Sequence, residues 1–126
     1  TSIRVTNGGS FTIESGTIES DGTAVYAIGN TAADNRTAIN SSVIMNGGYI
    51  HAQEYGMGVQ GLGATATMNN GVIMTNDNAV IGGNGTKTAT EDLGGTTINI
   101  SGGTMIGHIT TPGYIACGIY HHRKAS

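Results

Sequence analysis

The chain has 126 residues, the size of one ordinary domain, which excludes a protein with separate cofactor and substrate lobes. Its 5 basic and 8 acidic residues give a formal net charge of −3, and such a chain is not expected to bind nucleic acid. Hydrophobic residues make up 37% and aromatic residues 5%, which excludes a core of large side chains, so small residues must dominate the packing.

The sequence contains no pattern typical of metal, cofactor or disulfide chemistry. Cys117 is the one cysteine, so it cannot form a disulfide within the chain, and we expect it to be buried as an apolar residue. No apolar run is long enough to span a membrane, and a start without methionine predicts a piece of a longer protein. We therefore predict no cofactor, no metal ion and no membrane span.

An eight-residue pattern occurs four times along the chain, at 11–18, 43–50, 66–73 and 98–105. Each copy reads apolar-x-apolar-polar-small-Gly-x-apolar, so each half alternates as a β-strand does and the glycine marks a sharp corner. The corner glycines follow one another at intervals of 32, 23 and 32 residues and are Gly16, Gly48, Gly71 and Gly103. Each copy therefore predicts a strand, a corner and a second strand.

A third short segment of small and apolar residues follows each corner, at 24–28, 56–59, 79–81 and 115–119. Three strands in each repeat are typical of a β-solenoid, whose coils bury their apolar faces by stacking on one another. We predict an all-β fold, a right-handed parallel β-helix of about five rungs with three short strands each. Residues 1–126 form one β-helical unit in this prediction.

Stacked coils place equivalent side chains in columns, with neighbouring strands about 4.8 Å apart. The predicted inward-facing columns are Ile13, Met45, Met68 and Ile100, and Ile18, Ile50, Ile73 and Met105. Asn46, Asn69 and Asn70 lie beside corner glycines and could form a ladder of hydrogen-bonded amides. The preference of asparagine for turns accounts for the same positions equally well.

The two long repeats carry insertions near 30–41 and 84–95, after their third segment, where the short repeat has none. Both insertions are therefore expected at the same corner of the coil, and insertions on one side of a solenoid often form its binding face. The candidate binding residues in these loops are Asp34, Asn35, Arg36, Lys87, Glu91 and Asp92.

Acidic residues recur near the end of the second strand of each repeat. Asp21, Glu54 and Asp77 lie at similar positions and could form a column of acids, as a polysaccharide-cleaving enzyme would require. Solvated turn residues are the simpler interpretation, and His51 and His108 are interpreted as surface residues. We assign no catalytic residue and predict that the chain is not an enzyme.

Residues 5–18 and 97–105 look like repeats of the form GG-x-F-x-I-x-x-G-x-I. This pattern resembles that of large bacterial cell-surface proteins with a right-handed parallel β-helix, the pectate-lyase-like adhesin type. The resemblance implies an extracellular or cell-surface location and a non-catalytic role as an adhesin or structural stalk. The chain lacks the Asn-Thr-Asp, Gly-His-Gly and Arg-x-x-x-x-Arg patterns of the active enzymes in this broad group.

The expected partner of such a module is a glycan or a host or cell surface, contacted through the two loops. One alternative is a polysaccharide lyase or hydrolase. Another is a phage tail fibre or a self-assembling filament, because the open ends of a solenoid expose strand edges that invite end-to-end stacking of copies.

Overall fold

A computed structural model describes residues 1–32, 34, 37–84, 95–114 and 116–121, which contain thirteen β-strands and no helix. In chain order the strands are β1 (Ile3–Val5), β2 (Ser10–Ile13), β3 (Thr17–Ser20), β4 (Val25–Ile28), β5 (Ser42–Met45), β6 (Tyr49–Ala52), β7 (Met57–Gln60), β8 (Thr65–Met68), β9 (Val72–Asn76), β10 (Ile81–Asn84), β11 (Thr97–Ile100), β12 (Thr104–His108) and β13 (Ile119–His121).

The strands form three parallel sheets. Sheet 1 has the order β2-β5-β8-β11, sheet 2 the order β3-β6-β9-β12, and sheet 3 the order β1-β4-β7-β10-β13. Consecutive strands therefore pass from sheet 1 to sheet 2 to sheet 3 before the chain returns to sheet 1. The result is four complete coils, with β1 adding a fifth level to sheet 3, and the prediction of a parallel β-helix is confirmed.

The third strand of the coil differs in its bounds from the prediction. Strand β10 begins at Ile81, the last residue of the predicted segment, and β13 begins at Ile119, again the last residue predicted. The reason is that register is set by the neighbouring coil, in which Met57 pairs with Ile81, and Ile81 with Ile119. Strand β10 continues to Asn84, the first residue of the range predicted for the second insertion.

The core consists of side chains stacked in register from coil to coil. In sheet 1, Ile13 pairs with Met45, Met45 with Met68 and Met68 with Ile100; in sheet 2, Ile18 pairs with Ile50, Ile50 with Ile73 and Ile73 with Met105. The members in the middle coils are fully buried, whereas Ile100 in the last coil is 39% exposed. Ile100 and Met105 in the last coil are thus less buried than their partners in the middle coils, because one coil alone cannot cover its apolar face.

The corner glycines of the pattern all have a left-handed backbone, with φ of 94° at Gly16, 85° at Gly48, 101° at Gly71 and 96° at Gly103. Close packing adds a second requirement at Gly48, where a Cβ atom would lie 2.8 Å from the carbonyl oxygen of Gly16 in the coil beneath. The same carbonyl accepts a 2.9 Å hydrogen bond from the Tyr49 amide. These glycines thus allow both the turn and the stacking of successive turns.

A polar ladder runs beside the corner glycines, one residue from each coil. The Asn46 amide donates to Glu14 at 3.1 Å, the Asn69 amide donates to Asn46 at 2.8 Å, and the Ser101 hydroxyl donates to Asn69 at 2.6 Å. The predicted ladder of stacked amides is therefore present, through Asn69 rather than Asn70. The ladder gives these side chains hydrogen-bond partners, which they would otherwise take from the backbone of the turn.

Candidate functional site

The two predicted binding loops are described only in part. Asp34 is described and exposed. The other five candidate binding residues lie outside the described residues, and they are Asn35, Arg36, Lys87, Glu91 and Asp92.

The described ends of both insertions meet at Leu62, which lies at the corner of the short coil between them. Asn30 exchanges backbone hydrogen bonds with Leu62 at 2.9 and 2.8 Å, and the Ile39 amide donates to the same Leu62 carbonyl at 3.1 Å. On the other side, Gly95 packs against Leu62, and its carbonyl accepts a 2.9 Å hydrogen bond from the amide of Gly63. Both insertions therefore depart from one corner, and Leu62 separates their bases.

Asp77, one of the three acids considered for catalysis, joins two coils through hydrogen bonds to its carboxylate. Its carboxylate accepts hydrogen bonds from the amides of Thr110 at 2.6 Å and Thr111 at 3.0 Å, and from the Thr110 hydroxyl. The Thr110 hydroxyl and these amides lower the pKa of Asp77 from 3.8 to about 2. A carboxylate held ionised in this way is a poor general acid, because it carries no proton at neutral pH.

The other two acids considered for catalysis are Glu54 and Asp21. Glu54 accepts a long hydrogen bond of 3.5 Å from the Thr23 hydroxyl, and Asp21 lines a shallow cavity of about 480 Å³ together with Glu19 and Gln53. Within the described part of the chain, no group of three or more His, Cys, Asp or Glu side chains could hold a metal ion.

His51 has a carboxylate partner that the sequence analysis missed. Its Nδ1 lies 3.0 Å from Glu19 in the coil below, and its Nε2 lies 3.3 Å from the amide nitrogen of Asn76 in the coil above. Asn76 also donates to Gln53 at 3.1 Å. The available signal was the interval of 32 residues between Glu19 and His51, which equals the interval between corner glycines. The group bridges three coils of sheet 2 on its outer surface.

The outer face of sheet 3 carries a column of residues that alternate along their strands with the inward-facing residues of the core. The column is Arg4, Tyr26, Gly58, Gly82 and Tyr120. It differs from the other columns because two glycines occupy its centre and aromatic residues stand on both sides of them.

Tyrosine rings lie flat over these two glycines. A Cβ atom on Gly58 would be 3.2 Å from each of three ring carbons of Tyr26. On Gly82 it would be 2.5, 2.6 and 2.8 Å from three ring carbons of Tyr55, which comes from the corner before β7. Near-equal distances to several ring carbons mean that the glycine faces the plane of the ring. One face of each ring therefore covers the backbone, and Tyr26, Tyr55 and Tyr120 together form what we call the tyrosine face.

Burial and neighbouring acidic groups keep Tyr26 and Tyr55 protonated. The pKa of Tyr26 is raised above 10.0 by burial first, then by Tyr55 and Glu54, against a lowering by Arg4. The pKa of Tyr55 is raised by burial first and then by Tyr120, Cys117 and Glu54. Both hydroxyls are therefore neutral and able to donate and accept hydrogen bonds at physiological pH.

A shallow cavity of about 340 Å³ opens at one end of the tyrosine face, lined by Tyr55, Asn78, Ala79, Cys117 and Tyr120. Cys117 is exposed there, so the prediction that it is buried is wrong. The reason is its place in the last coil before β13, where it borders the cavity and its thiol lies 3.6 Å from the Ile119 carbonyl.

Within the described residues, the structure contains no helix that is long and apolar enough to cross a membrane. Comparison of the chain with protein-family models, curated proteins and solved structures gives no match.

Proposed function

We propose that this chain is a non-catalytic stalk module of an extracellular or cell-surface protein, and that it binds glycans on its side. The tyrosine face is the observation that supports this proposal best. A solvated sheet face normally carries polar side chains, whereas this face carries aromatic rings laid flat over glycines. Exposed aromatic surface on a rigid scaffold is typical of binding sites.

The coil stack supports the stalk role. Three parallel sheets and the polar ladder run along the same axis, so that each coil is fixed to the next by backbone and side-chain hydrogen bonds. Such a stack is extended and stiff, and it holds side chains of successive coils at fixed spacing. The adhesin-type resemblance of the sequence agrees with this role, and the loops from 30–41 and 84–95 would add contacts beside the corner at Leu62.

A panel of plant, host and bacterial polysaccharides tests the proposal. The purified chain is incubated with each polysaccharide, and co-sedimentation and newly released sugar ends are measured in the same tube. We expect binding without cleavage. New ends would instead support the lyase or hydrolase alternative and would be traced by alanine substitution of Asp21 and Glu54. Absence of binding to every polysaccharide would contradict the glycan-binding role.

The two loops are tested separately from the sheet. A variant in which 31–38 and 85–94 are replaced by short glycine turns keeps Asn30, Ile39 and Gly95, which bond to or pack against Leu62. Retained binding by this variant, with unchanged far-UV circular dichroism, would show that the loops are dispensable and would direct attention to the sheet.

A second candidate, assembly into a fibre, is favoured by the apolar surface of the last coil. Ile100 is 39% and Ile119 is 45% exposed, although Met68 and Ile81, their partners in the adjacent coil, are fully buried. A further coil, from a second copy or from more of the same chain, would cover them. Sedimentation that grows with concentration would support assembly, and a monomer at all concentrations would contradict it.

A further inference from the structure

We infer that the cavity between Tyr55 and Tyr120 is a subsite for a single neutral pyranose unit of a polysaccharide, which stacks on the Tyr55 ring. This inference rests on the proposed glycan binding and assigns it a position and a ligand class. It differs from the prediction from sequence, which placed binding in the two loops.

The first argument is the orientation of the Tyr55 ring. One face of the ring lies on Gly82, so the ring is fixed parallel to the sheet and only its opposite face is available to a ligand. The face of an aromatic ring is electronegative, and it attracts the partially positive C–H groups that cover one side of a pyranose. A flat ring supported from below suits a flat ligand, whereas capture of a cation uses several rings set at angles around it.

The second argument is the polarity of the rim. Asn78 lines the cavity, and a side-chain amide can both donate to and accept from sugar hydroxyls. The Tyr55 and Tyr120 side chains add hydroxyl groups. An apolar floor with a few polar groups at its edge is the usual composition of a small-ligand site.

The third argument is charge. None of the five residues that line the cavity is an Asp, Glu, Lys, Arg or His, and they are Tyr55, Asn78, Ala79, Cys117 and Tyr120. Glu54, the residue that precedes Tyr55 in the chain, contributes a carboxylate and not a cation. A carboxylated sugar would lose hydration and find no cationic side chain among the described residues that line the cavity, so the site favours a neutral sugar over a uronate.

The test uses four polysaccharides as probes, a β-1,4-glucan, a galactan, a mannan and polygalacturonate, with affinities measured by calorimetry. We expect wild-type protein to bind at least one neutral polymer more tightly than polygalacturonate. Tyr55→Ala is expected to weaken that binding by about tenfold or more, because the stacking floor is lost. Tyr114→Ala is the matched control, since Tyr114 is 59% exposed and does not line the cavity, and it should bind as wild type does.

Cys117 provides a second readout that requires no substitution. It is the one cysteine of the chain and borders the cavity, so a bound sugar should slow its alkylation by iodoacetamide severalfold. This measurement remains decisive if Tyr55→Ala does not fold.

The outcomes separate the two proposals. Binding to no probe overturns the glycan-binding function and this subsite with it. Binding by wild type that Tyr55→Ala leaves unchanged, unprotected Cys117 in the bound protein, or preference for polygalacturonate overturns the subsite alone.

Discussion

Replacement of Gly82 by alanine tests whether Tyr55 lies flat on the sheet. The new Cβ atom would be 2.5 Å from a Tyr55 ring carbon, closer than real Cβ contacts occur, so one of the two must move. The obstructing atoms belong to the outer part of a half-buried side chain and not to backbone, so the ring is expected to swing away from the sheet. Gly58→Ala is the matched control, because its Cβ atom would be 3.2 Å from the Tyr26 ring and a shift of a few tenths of an ångström relieves the contact.

The expected change in stability is small. Complete burial of a large apolar side chain contributes about 1.5–3 kcal/mol, so exposure of the half-buried Tyr55 costs roughly 1 kcal/mol. Alanine in place of glycine recovers roughly 0.5–1 kcal/mol where the backbone is compatible, because the unfolded chain has less conformational freedom. Gly82 lies within β10 and lacks the left-handed φ of the corner glycines. The two contributions nearly offset, so the free energy of unfolding in urea should change by less than about 1 kcal/mol.

The position of the ring is measured through its ionisation. Burial is the largest cause of the raised pKa of Tyr55, so in Gly82→Ala that pKa should fall towards 10.0. NMR of ¹³Cζ-labelled tyrosine across an alkaline titration resolves the individual residues, and Tyr26 in Gly58→Ala should keep its raised pKa. A Tyr55 pKa in Gly82→Ala equal to that of the wild type would refute the flat-ring geometry.

Three further predictions concern the coil stack. Met68→Ala should reduce the free energy of unfolding by about 2–5 kcal/mol, because Met68 is fully buried between two coils. Ile100→Ala should reduce it by less than half as much, because Ile100 is 39% exposed. Equal losses in urea denaturation would contradict the stacked column. Gly16→Ala should reduce stability by about 1–2 kcal/mol, because alanine is strained at a left-handed φ and the new Cβ atom meets nothing within 4 Å. Gly48→Ala should reduce stability more, because its Cβ atom also meets a backbone carbonyl. Thermal unfolding of the two variants measures the difference. The pKa of Asp77 in the folded state lies below its ordinary 3.8, so the contribution of Asp77 to stability is fully present above pH 3.8 and is lost as the pH falls through about 2. Asp77→Asn should remove this part of the pH dependence of stability. An unchanged slope of stability against pH would show that Asp77 is not its source.

The sequence was most informative where one local cause decides a position. A corner that needs a left-handed residue selects glycine, so Gly16, Gly48, Gly71 and Gly103 mark the coils in the sequence itself. The alternation of apolar residues on either side then predicts the inward columns, since side chains in a strand point alternately to its two faces. The polar ladder could be predicted only as one of two interpretations, because a turn and a ladder favour asparagine at the same place.

Prediction from sequence was weaker for features that depend on the register between coils. Strands β10 and β13 start late because β10 pairs with β7, and β13 with β10, across coils, and Gly82 and Gly83 carry little strand preference of their own. Two sets of side-chain contacts likewise join residues from different coils. They are the pair of Glu19 with His51, and the hydrogen bonds that Asp77 accepts from Thr110 and Thr111.

The sequence by itself determined the kind of molecule, a stack of three-stranded coils, because the period of the pattern and the chirality of its corners are local properties of the chain. The tertiary structure alone decided what the surface of that stack presents. Tyr55 lies in a corner, Gly82 in a strand of the next coil and Tyr120 in the coil after that, and only the stacking of coils brings a ring over a glycine. The spacing of these residues along the chain does not reveal this, because the insertion near 84–95 lies between Gly82 and Tyr120, whereas the register of the sheet pairs the two directly.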